Sequence, residues 1–229
     1  MKITNRPMLN KSLLLLEYAN AWYKFFKLKK DSPFVVKETS QAIFARELIE
    51  SYPEIKIISL VRDPRDVLLS FSNHLKLSHE DVFGKMISMD HFELDENDPD
   101  LKEGYKRSLL GSWSNHYLSW KSYKGRELLF LKYEDLVKNP YENFHKVLTY
   151  LKNFVPLELD SEKIRSSIKI TSFENLKKNE EDEGFIEQGM SREFFRKGII
   201  GDWKSSLKPE LLKKIESKFK KEMIKLGYI

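Results

Sequence analysis

The chain has 229 residues, 41% of them hydrophobic, which is enough to bury a core, and a single α/β domain over 1–229 is the simplest organisation. It has no cysteine, which excludes disulfides, cysteine-ligated zinc and a thiol nucleophile. The net charge of +5 is compatible with an acidic ligand or partner, but no arginine-rich run interleaved with aromatics indicates nucleic acid. Without an apolar run long enough to span a membrane and without a secretory leader, we expect a cytoplasmic protein.

Three elements are predicted before the middle of the chain. A helix over 10–30 carries apolar side chains on one broad face, and a short buried strand follows at 34–36. This strand leads into Lys37, Glu38 and Thr39, which are polar residues at the carboxyl end of a strand, where open α/β sheets bind ligands. A second helix covers 42–52.

The stretch 55–74, IKIISLVRDPRDVLLSFSNH, is the most informative. Its apolar run predicts a central parallel strand buried on both faces. Asp63 is the predicted N-cap and Pro64 the first residue of the helix that follows. Arg62 then lies between a strand end and a helix N-terminus, which is a site for an anion, and Ser70 is within reach of the same anion. The alternative is that Arg62 pairs with Asp63 or Asp66.

The middle of the chain predicts a loop, a helix, a strand and a further helix. From 80 to 100 the periodicity is lost and acidic residues gather, which indicates a solvated loop rather than a metal site. A helix over 105–123 carries an aromatic stripe. A buried strand at 127–132 is followed by Tyr133 and by a helix up to 151, whose start is either near 136 or at Pro140 with Asn139 as its cap.

The last third predicts short helices over 161–168 and 173–178 and a solvated acidic patch over 180–183. The stretch 194–204, FFRKGIIGDWK, is too rich in glycine for a stable helix. Its glycines allow backbone N–H groups to approach an anion, and Arg196 and Lys197 supply positive charge, so we expect a phosphate-holding loop. A lysine-rich amphipathic helix over 209–226 closes the chain.

Five segments occur in the order and approximate spacing of the cytosolic-type sulfotransferases that use 3′-phosphoadenosine 5′-phosphosulfate (PAPS). They are VRDPRDVLLS, GSWSNHYLSW, LKYEDL, TSF and FFRKGIIGDWK. The chain resembles this family over about 34–204. The resemblance implies a P-loop-like, three-layer α/β domain with a central parallel sheet flanked by helices. It also implies sulfuryl transfer from PAPS to a hydroxyl or amine, without a metal.

The resemblance assigns nucleotide-binding roles to particular positions. They are Arg62, Ser70, Tyr133, Thr171, Ser172, Phe173, Phe195, Arg196, Lys197 and Gly198. The first two match the pair that grips the 3′-phosphate, and the last three match the loop that closes over it. Tyr133 and the triplet 171–173 match positions that line the adenine, where an aromatic face suits a planar base.

Two departures from the family pattern affect the expected activity. The first strand and the glycine-containing phosphate loop of the family have no counterpart before Phe34, so we expect them to be missing through truncation, degeneration or replacement. The second is Thr39, which occupies the position of the family's catalytic histidine. The resemblance then leaves Glu38 as the candidate base, with Lys37 beside it, and predicts weak or absent activity.

The remaining expectations concern partners. The acceptor is expected to be a small molecule, a glycan or a lipid, with no nucleic acid and no membrane span, and a homodimer is left open. The alternative function is a non-catalytic, sulfotransferase-like nucleotide-binding or assembly protein whose basic ends hold an acidic partner.

Overall fold

The computed structural model describes residues 56–89, 111–121, 128–185 and 193–229, together with the backbone of 92–94 and 107–109. The strands are β1 Ile57–Val61, β2 Phe92–Leu94, β3 Arg107–Leu109 and β4 Leu128–Lys132. The helices are α1 Pro64–Leu75, α2 His79–Ile87, α3 Trp113–Lys121, α4 Tyr133–Lys138, α5 Pro140–Lys152, α6 Ser161–Ile170, α7 Phe173–Glu183, α8 Trp203–Ser206 and α9 Pro209–Leu226.

Strands β1 and β4 form a parallel pair, in register from Ile57 opposite Leu128 to Val61 opposite Lys132. The predicted α/β class with parallel strands is confirmed, while the first strand and phosphate loop concern residues outside the described ranges. The expectation that β1 is buried on both faces is wrong. Ile58 and Leu60 are 41% and 50% exposed, because side chains alternate along a strand and these two lie on the face opposite Ile57 and Val61.

The main hydrophobic core joins α1, α2 and α9. Its buried side chains are Leu68, Leu69, Val82, Met86, Leu207, Leu211, Ile215, Phe219 and Met223. Helix α9 begins and ends where the sequence predicts, with Pro209 in its first turn and Gly227 in a left-handed C-cap. This core fixes α1, and therefore the residues at its N-terminus, against the C-terminal part of the chain.

Two predictions for the middle of the chain are wrong. Residues from His79 to Ile87 are helical rather than a loop, because Ser78 caps α2 and Val82 and Met86 lie four residues apart on its buried side. The predicted helix over 105–123 is shorter. It begins at Trp113, after Gly111 at φ +65°, and Arg107–Leu109 pairs antiparallel with Phe92–Leu94 instead.

The segment after β4 contains two helices instead of one. Helix α5 begins at Pro140, as one of the two predicted alternatives has it. The predicted cap by the Asn139 side chain is wrong, since this side chain makes no capping hydrogen bond. The junction is stabilised instead by Asn143, whose Nδ2 donates to the carbonyl oxygens of Asp135 and Asn139 at 2.8 and 2.9 Å.

The helices of the last third extend beyond their predicted ends. Asp160 caps α6 and Ser172 caps α7, which continues to Glu183. The predicted solvated patch over 180–183 is wrong at Glu180, which is only 6% exposed. In the described ranges, none of the helices combines the length and the apolar composition that crossing a lipid bilayer requires. The single-domain organisation stays a prediction.

Candidate anion-binding site

The corner between β1 and α1 has the predicted local structure. Asp63 caps α1 by accepting the backbone N–H of Arg65 at 2.9 Å, and Pro64 occupies the first turn. The carboxylate of Asp63 is also held by the Arg65 guanidinium at 2.7 and 2.9 Å. Asp63 is therefore neutralised by Arg65, so the alternative in which it pairs with Arg62 is wrong. Asp66 instead accepts the backbone N–H groups of Gly201 and Trp203.

Arg62 lies at the carboxyl end of β1 with its guanidinium carbon 4.3 Å from the centre of the Tyr133 ring. Its Nη2 donates to the carbonyl oxygen of Ile199 at 3.5 Å, the long limit of a hydrogen bond, and its backbone carbonyl accepts from Trp113 Nε1 at 3.2 Å. Its Nε is buried and has no hydrogen-bond partner among the described residues. Leaving a buried charged donor unpaired costs free energy, so an anion that reaches the Arg62 guanidinium is favoured at this corner.

A buried network of hydrogen bonds stabilises the corner between β1 and α1. Glu134 accepts the backbone N–H of Asp63 and the hydroxyl of Tyr228, each at 2.9 Å. Arg65 donates to Glu216 at 2.6 Å and to the backbone carbonyl of Tyr228 at 2.9 Å. Burial and the negative charge of Glu134 raise the pKa of Tyr228. The network fixes the strand ends that carry Arg62 and Tyr133 to the C-terminus of the chain.

The segment 194–202, named here the cationic loop, is fixed at both ends by buried carboxylates. Glu180 accepts the backbone N–H groups of Phe194 and Phe195 at 2.5 and 2.9 Å. At the other end, Asp66 accepts the N–H of Gly201 at 2.7 Å and that of Trp203 at 3.2 Å. The loop is therefore held against α7 on one side and against the first turn of α1 on the other.

The two cations of the loop share one carboxylate. Arg196 and Lys197 lie 2.7 and 2.9 Å from the carboxylate oxygens of Asp202. Burial alone would raise the pKa of Asp202, but the hydrogen bonds and charges of Lys197 and Arg196 outweigh it and hold that pKa below its ordinary range. Asp202 therefore stays ionised at neutral pH.

Gly198 lies where a larger residue would be strained and would collide with the Phe173 ring. Its φ is +64°, and a Cβ there would be 2.5 Å from the Phe173 ring. Phe173 in turn contacts Phe195 edge-on, with ring centroids 6.2 Å apart. The cationic loop and the start of α7 are thus in van der Waals contact.

The remaining predicted residues have simpler surroundings. Thr171 donates its hydroxyl to the carbonyl of Ser167 at 2.8 Å, and Ser172 caps α7 by accepting the N–H of Asn175 at 3.3 Å. Ser70 lies exposed on α1. Lys37 and Glu38 lie outside the described residues. The side chains of the described residues form no cluster of three or more potential metal ligands.

The structure brings several of the predicted residues together. Arg62 contacts Tyr133 and, through Ile199, the cationic loop, while Gly198 and Phe195 contact Phe173. Sequence reasoning missed the acidic residues that hold these parts in place, Asp66, Glu134, Glu180 and Asp202. The available signal was their position inside or directly beside the motifs, as in RDPRD and GDWK.

Comparison with known proteins identifies relatives along most of the chain. The sulfotransferase domain model matches residues 6–227. The chain is 27% identical over 196 residues to the 3-beta-hydroxysteroid sulfotransferase of Cavia porcellus, covering 79% of this chain and 60% of the relative. It is 29% identical over 203 residues to cytosolic sulfotransferase 13 of Arabidopsis thaliana, covering 82% and 60%. The chain therefore spans about three fifths of the length of these relatives.

Solved structures with the same fold include two proteins crystallised with PAP. A mouse sulfotransferase complexed with PAP gives a TM-score of 0.55 at 23% identity, covering 73% of this chain and 58% of the other. A retinol dehydratase in complex with androsterone and inactive cofactor PAP gives 0.61 at 22% identity, covering 94% and 61%.

Proposed function

We propose, because this chain belongs to the sulfotransferase domain family, that Arg62 and the cationic loop bind the 3′-phosphate of PAPS. We further propose that the protein transfers the sulfuryl group of PAPS to a hydroxyl or amine of a small-molecule acceptor. The chain spans about three fifths of its relatives' length, and this activity is proposed for the whole protein.

One observation carries the proposal: Arg62, whose buried Nε has no hydrogen-bond partner in the described part of the chain, lies beside a loop that carries two further cations. A guanidinium matches the oxygens of a phosphate in geometry and charge. The helix N-terminus of α1 adds partial positive charge at the same corner. Together these groups suit a dianionic phosphate monoester better than a neutral ligand.

The aromatic residues around the site suit the base of a nucleotide. The Tyr133 ring lies against the Arg62 guanidinium. Phe173 lies beside Gly198 and contacts Phe195. Aromatic side chains contact a purine either by stacking or edge-to-face. Short polar residues such as Thr171 and Ser172 are suited to the hydrogen-bonding edge of the base. These residues are therefore proposed to line the adenine.

The residues of this chain would contribute to sulfuryl transfer mainly by positioning and charge. The acceptor oxygen or nitrogen attacks the sulfur of PAPS in line and loses its proton to a base. The bond from sulfur to the bridging phosphate oxygen breaks at the same time, and adenosine 3′,5′-bisphosphate leaves. Arg62, Arg196 and Lys197 hold the nucleotide at its 3′-phosphate and so fix the direction of attack. Glu38 is the proposed base that takes the acceptor proton, with Lys37 beside it, and both assignments stay predictions.

Relatives of the chain provide the basis for two narrower proposals. Some are named as flavonol sulfotransferases, and one as a steroid sulfotransferase, so we propose an acceptor with a hydroxyl on a compact apolar ring system. Others are named as cytosolic, and we propose the cytoplasm as the location of this protein. A homodimer is compatible with these proposals.

Calorimetric titration with adenosine 3′,5′-bisphosphate tests the binding part of the proposal. We expect saturable binding that weakens at least about tenfold in Arg62→Ala and with adenosine 5′-monophosphate, which lacks the 3′-phosphate. Arg165→Ala is the matched control, since Arg165 also lies over a tyrosine ring, 4.6 Å from Tyr141. No binding by the parent chain, or equal binding by Arg62→Ala, would refute the site.

Turnover with radiolabelled PAPS and a phenolic acceptor tests the catalytic part. Product formation that is lost in Glu38→Gln supports an enzyme. Binding without turnover identifies instead a nucleotide-binding protein with the sulfotransferase fold.

A further inference from the structure

Asp202 is a buried carboxylate that bonds to both cations of the cationic loop. It is 8% exposed, with Oδ2 2.7 Å from Arg196 Nη2 and Oδ1 2.9 Å from Lys197 Nζ. The hydroxyl of Ser206 donates to Oδ1 at 3.3 Å. One carboxylate therefore fixes where two long, otherwise flexible side chains end.

The backbone on both sides of Asp202 is itself fixed. Asp66, which is 2% exposed, accepts the N–H groups of Gly201 and Trp203. Asp66 lies in the first turn of α1, four residues after Arg62 in the sequence. The position of Asp202, and through it that of the two loop cations, is thus set relative to the corner that carries Arg62.

The cations keep donors available for a ligand. The side chains of Arg196 and Lys197 are 29% and 44% exposed, whereas that of Asp202 is 7% exposed. A guanidinium and an ammonium each have more N–H groups than one carboxylate takes up. The carboxylate thus lies on the inner side of the cations and leaves their outer side for a second anion.

Asp202 also offsets the repulsion between the two loop cations. Arg196 and Lys197 both bond to its carboxylate, at 2.7 and 2.9 Å. Without Asp202 these two side chains would repel each other in the ligand-free protein.

From this arrangement we infer that Asp202 is a positioning residue for the nucleotide phosphate, acting through Arg196 and Lys197. It holds the two cations in one orientation before the ligand arrives, so that binding does not have to immobilise both side chains. The inference rests on the proposed function, since it needs a phosphate to be bound at this loop.

Isosteric variants test the inference by calorimetry with adenosine 3′,5′-bisphosphate. Asp202→Asn keeps the shape and removes the charge, and we expect about tenfold weaker binding, the effect of freeing two long side chains. Asp202→Glu restores the carboxylate, and we expect it to bind within about threefold of the parent. Asp81→Asn, an exposed residue in the first turn of α2, is the control for loss of one negative charge and is expected to leave binding unchanged.

A double-mutant comparison distinguishes positioning of the two cations from a purely structural role of Asp202. In an Arg196→Ala, Lys197→Ala background the Asp202→Asn change should weaken binding no further, because the groups it positions are gone. A titration of the Asp202 carboxyl by ¹³C NMR in ligand-free protein adds a readout that needs no nucleotide. We expect a pKa below the ordinary range in the parent and a higher pKa in Lys197→Ala.

Several outcomes overturn the inference. Equal or tighter nucleotide binding by a folded Asp202→Asn shows that the carboxylate competes with the phosphate instead of preparing its site. An ordinary pKa of Asp202 in the parent shows that the pairing is absent in solution, and it decides the question even where Asp202→Asn does not fold. Failure of the parent chain to bind refutes the proposed function itself and is recognised before any variant is measured.

Discussion

The carboxylate of Asp66 accepts the backbone N–H of Gly201 at 2.7 Å and so joins two segments 135 residues apart in the sequence. One segment carries Arg62, and the other carries Arg196 and Lys197. This bond, with its neighbour to Trp203, fixes the distance between the three cations of the proposed phosphate site.

Asp66→Asn should destabilise the protein and weaken nucleotide binding together. An asparagine offers one acceptor oxygen where two backbone N–H groups need one each, and its amide would face the second N–H. We expect the free energy of unfolding, measured with urea, to fall by about 1–3 kcal/mol. Asp182→Asn, an exposed change on α7, is the control and should leave both quantities unchanged. Unaltered stability of Asp66→Asn would contradict the anchoring role.

Gly198→Ala should be more harmful than the same change at another left-handed glycine. Gly227 has a similar φ of +71° in the left-handed helical region, and no atom of the described residues lies within 4 Å of its added Cβ, so Gly227→Ala measures backbone strain alone. Each change should cost about 1 kcal/mol for that strain. Collision with Phe173 should add roughly 1–3 kcal/mol at Gly198. Denaturation midpoints of both variants give the comparison, and equal losses would argue against the collision.

The double variant Gly198→Ala, Phe173→Leu separates the collision further. A smaller side chain at 173 relieves the contact, so part of the lost stability should return. No recovery would mean that the contact with Phe173 does not limit position 198.

Tyr228→Phe should reduce the loss of stability at alkaline pH. The pKa of Tyr228 is raised in the folded state, so the folded protein keeps this proton at pH values where an unfolded tyrosine has lost it. The stability of the parent should therefore decline from about pH 10 upward, and this decline should be shallower in Tyr228→Phe. Tyr141→Phe, which removes a tyrosine hydroxyl that pairs with Ser161 instead of Glu134, is the control. Parallel profiles for parent and Tyr228→Phe would contradict the buried hydroxyl.

Tyr133 should act through its ring and not through its hydroxyl. Tyr133→Ala removes the platform under the Arg62 guanidinium and should weaken adenosine 3′,5′-bisphosphate binding about five- to tenfold. Tyr133→Phe keeps the ring and should bind within about twofold of the parent. Calorimetry measures both, and a loss in Tyr133→Phe as large as that in Tyr133→Ala would assign the effect to the hydroxyl instead.

Sequence determined the features that depend on neighbouring residues. Asp63 and Pro64 specify the start of α1, because a capping carboxylate and a proline act within one turn. The bounds of α9, Pro209–Leu226, follow from apolar periodicity between a proline and a glycine. The prediction that Arg62 and the cationic loop lie close together came from the family resemblance, because the order of the motifs matches a family whose members bring them together.

Tertiary structure decided which charges meet. In the sequence, Asp63 is adjacent to Arg62 and close to Arg65, so either arginine could pair with it. The packing of the C-terminal part of the chain selects Arg65, because Glu216 and the Tyr228 carbonyl accept from its other donors. From the sequence, Glu180 belongs to an exposed acidic run. In the structure its carboxylate oxygens accept the backbone N–H groups of Phe194 and Phe195. Helix caps and periodicity act within a few residues, whereas a buried carboxylate takes its partner from whichever segment the packing of the core places beside it.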